Sequence, residues 1–201
     1  MRRITKAALG CFAGFALVLG GTQAASGAME EKNWFRDTLT DLMTDDGPFD
    51  SATARITIAE KTDGSTTFRI RVRRIDTSYP VPDGGFGSHL HTGKCVEGDV
   101  GDDTVDPPVI PGFQAGGHYN DNAIRGLPAE ISRNTEVWFD LVPDQKGVAE
   151  AETTVPFRPV DLDGEMSVVI HVAATNPTTG GASTRQACLP LDVSGILPDR
   201  I

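Results

Sequence analysis

The chain has 201 residues, with 18 lysines and arginines against 28 aspartates and glutamates, a formal net charge of −10. This length suits one domain with short additions, because ordinary domains centre on roughly 100 to 150 residues. The acidic balance excludes nucleic acid or an anionic membrane as a partner bound through bulk charge.

The first 28 residues have the composition of a secretory signal peptide. Three basic residues lie within the first six positions, an apolar run follows over 7–20, and small residues lead up to Ala28. The run is too short to remain as a membrane span. Cleavage can follow Ala24 or Ala28, and we take Ala28. We therefore expect a secreted or cell-envelope protein whose mature chain carries 15 basic against 28 acidic side chains, a formal charge of −13.

The mature chain begins with an N-terminal arm, residues 29–50. Apolar side chains in this arm recur at spacings near three and four, namely Trp34, Phe35, Leu39, Leu42 and Met43. This spacing predicts a short amphipathic helix over 33–44, ended by the Asp-Asp-Gly-Pro segment that follows. An arm docked on the core and a loose linker are the alternative interpretations. A β-rich domain over 51–195 and a tail over 196–201 complete the chain.

From residue 51 onward the apolar pattern has a period of two. Phe68, Ile70 and Val72 alternate with three arginines, which predicts a strand with one buried face and one solvated face. Six further strand-like runs are separated by Gly, Pro and Asp clusters, at 52–59, 85–91, 136–142, 147–154, 166–173 and 186–193. Seven strands with turns between them predict an antiparallel sandwich or barrel. The interval 96–114 has no strand pattern, and loops of this length are functional or mobile.

Four histidines lie at structured points of this pattern. His89 and His91 are two residues apart on one predicted strand, so their rings share a face. His171 ends an apolar strand, where a polar ring needs a partner. His118 lies in a Gly-rich turn, which can hold a ring at an angle that a strand does not permit. Four imidazoles suit copper, although zinc held by four histidines and buried structural histidines are competing interpretations.

Two cysteines remain after removal of the signal peptide, Cys95 and Cys188. An even pair in an oxidising compartment favours a disulfide. Two buried thiols are the alternative interpretation.

Five segments, taken in order, resemble the Cu,Zn superoxide dismutase family. Gly-Ser-His-Leu-His at 87–91 is similar to the family's copper strand, and Gly-Lys-Cys at 93–95 to the half-cystine segment of bacterial members. Ala-Gly-Gly-His-Tyr-Asn at 115–120 resembles the segment whose histidine bridges copper and zinc. Residues 167–171 resemble the strand with the last copper ligand, and 184–188 the segment with the active-site arginine and second half-cystine. The resemblance covers roughly 51–193.

This resemblance implies a Greek-key antiparallel β-sandwich or flattened barrel that converts superoxide to oxygen and hydrogen peroxide with copper. The implied copper ligands are His89, His91, His118 and His171. It also implies that Arg185 attracts the superoxide anion, that His118 delivers a proton, and that Cys95 and Cys188 form a disulfide.

The zinc half of the family's site is incomplete in this sequence. No histidine lies between His118 and His171, and Val137 stands where a zinc histidine is expected. Asp140 could occupy the position of the zinc aspartate, but one carboxylate and a shared imidazole are too few for a zinc site. We therefore expect one copper per chain and no zinc, with the second nitrogen of His118 oriented by water or a backbone group.

Two further departures favour the family's copper-only branch. Thr175 replaces the aspartate that tethers the copper and zinc ligands in the family. His171 and Arg185 are only 14 positions apart, so the loop that borders the active-site channel in the family is short here. The short loop and the acidic charge also suit a non-catalytic copper-binding protein, a buffer or delivery module. Arg185 favours the enzyme, because a storage site needs no anion guide. Nothing in the sequence specifies an oligomeric state.

Overall fold

A computed structural model describes residues 29–43, 45–99, 110–160 and 165–193. The predicted signal peptide, the C-terminal tail and the middle of the 96–114 interval lie outside these residues. The strands of the described residues are β1 (Met29–Thr38), β2 (Thr40–Asp41), β3 (Thr53–Lys61), β4 (Thr66–Arg73), β5 (Phe86–His91), β6 (Trp138–Leu141), β7 (Val148–Val155), β8 (Glu165–His171) and β9 (Arg185–Asp192). A 3-10 turn over Phe113–Ala115 and one helical turn, α1 (Asp121–Ile124), lie between β5 and β6.

These strands form two antiparallel sheets. The four-stranded sheet has the order β1-β3-β4-β7, and the five-stranded sheet has the order β2-β9-β8-β5-β6. Strands distant in sequence, such as β4 and β7 or β5 and β8, are neighbours because the chain crosses between the sheets. The sheets share no strand in the described part of the chain, so the fold is a sandwich and not a closed barrel.

The hydrophobic core lies between the two sheets. Ile56 and Ile70 from the four-stranded sheet are fully buried, as are Val168 and Ile170 from the five-stranded sheet. Edge-on aromatic pairs connect distant segments, with 6.4 Å between the ring centroids of Phe68 and Phe139. Full burial of each large apolar side chain contributes about 1.5–3 kcal/mol to folding.

All seven predicted strands are present, with ends within two residues of those predicted. The alternation of β4 is the clearest case, because Phe68, Ile70 and Val72 are buried and the arginines between them are exposed. Period-two patterning therefore predicts this sandwich well, since each strand has one face against the core.

The helix predicted over 33–44 is wrong. β1 pairs with β3, with Phe35 opposite Ile56, and β2 pairs with β9 in the other sheet. Leu39 lies in the main core, Leu42 lies in a second cluster, and Trp34 is 60% exposed. The spacing of three and four arises because the chain crosses from one sheet to the other after β1, so the apolar residues never share one helical face.

Candidate metal centre

β5 and β8 position three of the four histidines. His89 and His91 flank Leu90, which packs in the core, so both rings lie on the opposite face of β5. β8 pairs with β5 with Val169 opposite His89, and His171 follows two residues later on the same strand. All three histidines are buried.

The Gly-rich turn places His118 beside the end of β5. His118 forms an isolated β-bridge with His91, and the amide of Tyr119 donates a hydrogen bond to the carbonyl of Leu90. Gly116 has a φ of 70°, and a Cβ atom there would lie 2.8 Å from the hydroxyl of Thr92. Only glycine fits this close approach, which directs the turn back toward the strand.

Each histidine ring has one nitrogen held by an oxygen atom of the protein. The contacts are His89 Nε2 to Thr175 Oγ1 at 3.0 Å, His91 Nδ1 to the Gly116 carbonyl at 3.0 Å, His118 Nδ1 to Glu136 Oε2 at 2.9 Å and His171 Nδ1 to the Ser183 carbonyl at 2.9 Å. Such contacts fix the orientation and tautomer of an imidazole and leave its other nitrogen as a ligand.

The remaining ring nitrogens converge on one point. One ligand atom from each of the four histidines lies within 4.8 Å of the others, and His89 Nδ1 is 3.2 Å from His171 Nε2. His91 Nε2 is buried and has no hydrogen-bond partner among the described residues. A buried nitrogen without a partner is costly unless something binds it. The four histidines could therefore hold a metal ion, and an all-nitrogen set suits copper or zinc better than the oxygen-seeking calcium or magnesium.

Burial keeps the rings in the form that binds metal. It lowers the pKa of His89 and His91 far below the usual histidine value, and lowers the pKa of His171 to about 4. Neutral imidazole is the ligand form, so these rings are ready to bind metal at neutral pH. His118 is the most open of the four, with 23% of its side chain exposed.

A buried carboxylate, and not water or a backbone group, orients the second nitrogen of His118. Glu136 accepts hydrogen bonds from His118 Nδ1, from Trp138 Nε1 at 2.7 Å and from Asn120 Nδ2 at 3.0 Å. Burial raises the pKa of Glu136, but these three hydrogen bonds outweigh burial and hold it below the usual value. The prediction that water or a backbone group orients this nitrogen is therefore wrong. The only signal in the sequence was a lone acid before the apolar residues of β6.

Arg185 lies beside the histidines at the start of β9, opposite His171. Its guanidinium donates hydrogen bonds to the carbonyls of Gly112, at 2.5 Å, and Gly116, at 2.6 Å. His91 donates to the same Gly116 carbonyl. The positive charge of Arg185 contributes, after burial, to the lowered pKa of His91. This half-buried arginine is therefore fixed in place close to the histidine cluster.

The structure also places the two cysteines and the residues that the sequence analysis compared with a zinc site. Cys95 and Cys188 form the predicted disulfide, with Cα atoms 5.9 Å apart. Asp140 pairs with Arg133 at 2.5 Å and does not join the histidine group. Val137 is buried in the core. The hydroxyl of Thr175 contacts His89 Nε2.

Disulfides are common in proteins outside the cytoplasm. The described residues include no helix with the length and apolarity needed to cross a bilayer. No protein-family model and no curated protein matches this chain.

Proposed function

We propose that this chain is an exported, copper-dependent superoxide dismutase of the copper-only type. It would convert two superoxide anions and two protons into oxygen and hydrogen peroxide. The observation that carries the proposal is the convergence of four imidazole nitrogens beside a fixed arginine. The ordered resemblance of five sequence segments to the Cu,Zn superoxide dismutase family supports it.

His89 Nδ1 and the Nε2 atoms of His91, His118 and His171 would hold one copper per chain. When bound, copper supplies the one-electron couple that oxidises one superoxide and reduces the next. The buried His91 Nε2 supports a resident ion, because nothing else among the described residues satisfies it. The proposed absence of zinc is supported by the hydrogen bond from His118 Nδ1 to Glu136, because this nitrogen is then not free to bind a second metal.

Arg185 would attract superoxide to the centre. The mature chain is strongly acidic, so a small anion is repelled at long range and needs a local positive charge. A guanidinium stays protonated at every relevant pH. Two carbonyl acceptors hold the side chain, which keeps the charge in one position.

His118 would handle one of the two protons. Glu136 accepts the hydrogen bond from Nδ1 and so fixes which nitrogen faces the centre. When His118 Nε2 is not a ligand, it would carry a proton and donate it to the peroxide product. The partial exposure of His118 allows proton exchange with water.

Metal analysis and superoxide decay, measured on the same copper-loaded preparation, test the proposal. We expect about one copper and negligible zinc per chain, with superoxide decay proportional to the copper content. Copper binding without accelerated decay would instead identify a copper buffer or delivery protein, which the acidic charge of the chain also suits. Stoichiometric zinc alongside copper would contradict the copper-only assignment.

A further inference from the structure

The outer face of the four-stranded sheet carries a row of arginines that the metal centre does not explain. The strand register places Arg36 of β1 opposite Arg55 of β3, and Arg55 opposite Arg71 of β4. All three side chains are exposed. Like charges directly opposite each other on neighbouring strands destabilise a sheet. The row is therefore unfavourable unless an opposite charge lies nearby.

Carboxylates of the chain neutralise only part of this face. Two glutamates of β7 pair with two arginines of β4, as Arg69–Glu152 and Arg71–Glu150. Within the described ranges, no carboxylate lies at ion-pair distance from Arg36, Arg55 or Arg73. Among the described residues, three positive charges on this face thus have no ion-pair partner, although the protein as a whole is acidic.

These arginines surround a small concavity. A cavity of about 140 Å³ is lined by Arg36, Thr53, Ala54, Arg55, Arg71 and Arg73. Pockets for drug-sized ligands measure roughly 300–1,000 Å³, so this cavity suits one small group. The guanidinium of Arg55 lies 5.2 Å from the centre of the Trp34 ring, a cation–π contact that restrains it.

We propose that this cavity, the arginine cavity, binds the phosphate group of a small anion, either inorganic phosphate or a phosphomonoester. Guanidinium groups match phosphate oxygens with paired N–H donors, and the hydroxyl of Thr53 adds a further donor. A bound anion would also relieve the repulsion within the arginine row. The acidic remainder of the protein disfavours an extended anionic surface as the partner.

Thermal unfolding of the full chain in increasing inorganic phosphate, at constant ionic strength set with chloride, tests this site. A saturable rise in Tm of about 3 to 6 °C is expected at phosphate tenfold above Kd. Arg55→Gln should raise Kd about tenfold or more, because a charged hydrogen-bond donor is lost. Arg73→Gln, at the other side of the cavity, should act in the same direction. Lys61→Gln removes one charge from the end of the same strand β3 and should leave Kd unchanged.

Two further experiments test whether phosphate binds at another site and whether the ligand is a lipid headgroup. Arg185→Gln should keep the phosphate-dependent rise, and loss of the rise in this variant would place phosphate at the metal centre instead. Vesicles of phosphatidylglycerol should not co-sediment with the protein. Co-sedimentation that Arg55→Gln abolishes would assign the site to a lipid headgroup and overturn the small anion. The proposal also fails if Tm shows no saturable shift, or if Arg55→Gln and Lys61→Gln weaken the shift equally.

Discussion

Both sheets carry polar side chains on their outer faces, but these side chains are buried on one sheet and exposed to solvent on the other. On the five-stranded sheet, His89 and His91 are buried, and each has one ring nitrogen held by another residue. On the four-stranded sheet, Arg36 and Arg55 are exposed and water can solvate them. Both faces come from strands of alternating pattern. Burial, and not alternation, is what forces a polar group into one orientation.

The difference predicts where substitutions will matter most. A buried ring held by one hydrogen bond has little freedom, so the histidine face is preorganised and sensitive. Replacement of an exposed arginine mainly removes a charge. Substitutions on the arginine face should therefore change the stability of the protein little but weaken its anion binding.

Removal of one buried ring should abolish the proposed copper site. His171→Ala deletes one of four nitrogens and leaves the Ser183 carbonyl without its donor. Copper affinity should fall by more than the roughly 10–100-fold that loss of an outer hydrogen-bond partner costs. Equilibrium copper titration and the Cu(II) spin-resonance spectrum measure this. Arg71→Ala, on the other sheet, is the control and should leave both unchanged.

Reduction of the disulfide should lower stability substantially. Cys95 and Cys188 are separated by 93 residues, so their bond closes a long loop of the unfolded chain. The chain-entropy model gives about 4–5 kcal/mol for a loop of this size. Urea unfolding of the paired Cys95→Ser, Cys188→Ser variant against the oxidised protein should show this loss. Thiol labelling of the unreduced mature protein should find no reactive cysteine, and two reactive thiols would contradict the bond.

Acid should destabilise the metal-free protein in part through the histidine face. The folded pKa of His171 is about 4, below the ordinary histidine value of 6.5, so the unfolded chain binds more protons in this range. Stability is therefore full above about pH 6.5 and falls as the pH drops toward 4, by about 3 kcal/mol from His171 alone. Urea midpoints across pH 4–7 measure the loss. In His171→Ala the slope should be shallower. Arg36→Ala should keep the wild-type slope, because this exposed arginine has no ion-pair partner among the described residues and does not titrate there.

Loss of the carboxylate behind His118 should weaken the centre moderately. Glu136→Gln keeps the shape and one acceptor but removes the charge, so copper affinity should fall by roughly 10–100-fold. The Cu(II) spectrum should change as well, since the orientation of His118 depends on this contact. Glu165→Gln, on an exposed carboxylate that pairs with Lys94, is the matched control. Identical affinities for the two variants would show that Glu136 does not position His118.

The sequence predicts the strands and the histidine ligands better than it predicts which residues pair with or orient them. β4 and β5 were predictable because alternation and a two-residue spacing are local properties. β1 was not, because its apolar residues are divided between two sheets, and that division depends on tertiary crossing. The role of Glu136 was not predictable either, since it depends on a bridge between Asn120 and Glu136 from separate segments.

The smallest expected effect separates enzyme from copper buffer and concerns Arg185. If the protein is a dismutase, Arg185→Ala should lower the second-order rate with superoxide about tenfold at equal copper loading, because the local attraction is lost. Lysine should keep part of the rate, since its charge survives without the planar fork that binds the two carbonyls. Glutamate should lower the rate further by reversing the charge.

Arg133→Ala provides a control arginine near the same centre. Its guanidinium lies 5.3 Å from the Trp138 ring and pairs with Asp140, so its charge is already compensated. Arg133→Ala should therefore change the superoxide rate less than Arg185→Ala does. A copper buffer has no reason to follow the order arginine, lysine, alanine, glutamate at position 185. Equal rates for these four residues, at equal copper content, would remove Arg185 from the mechanism and leave the buried histidines as a binding site alone.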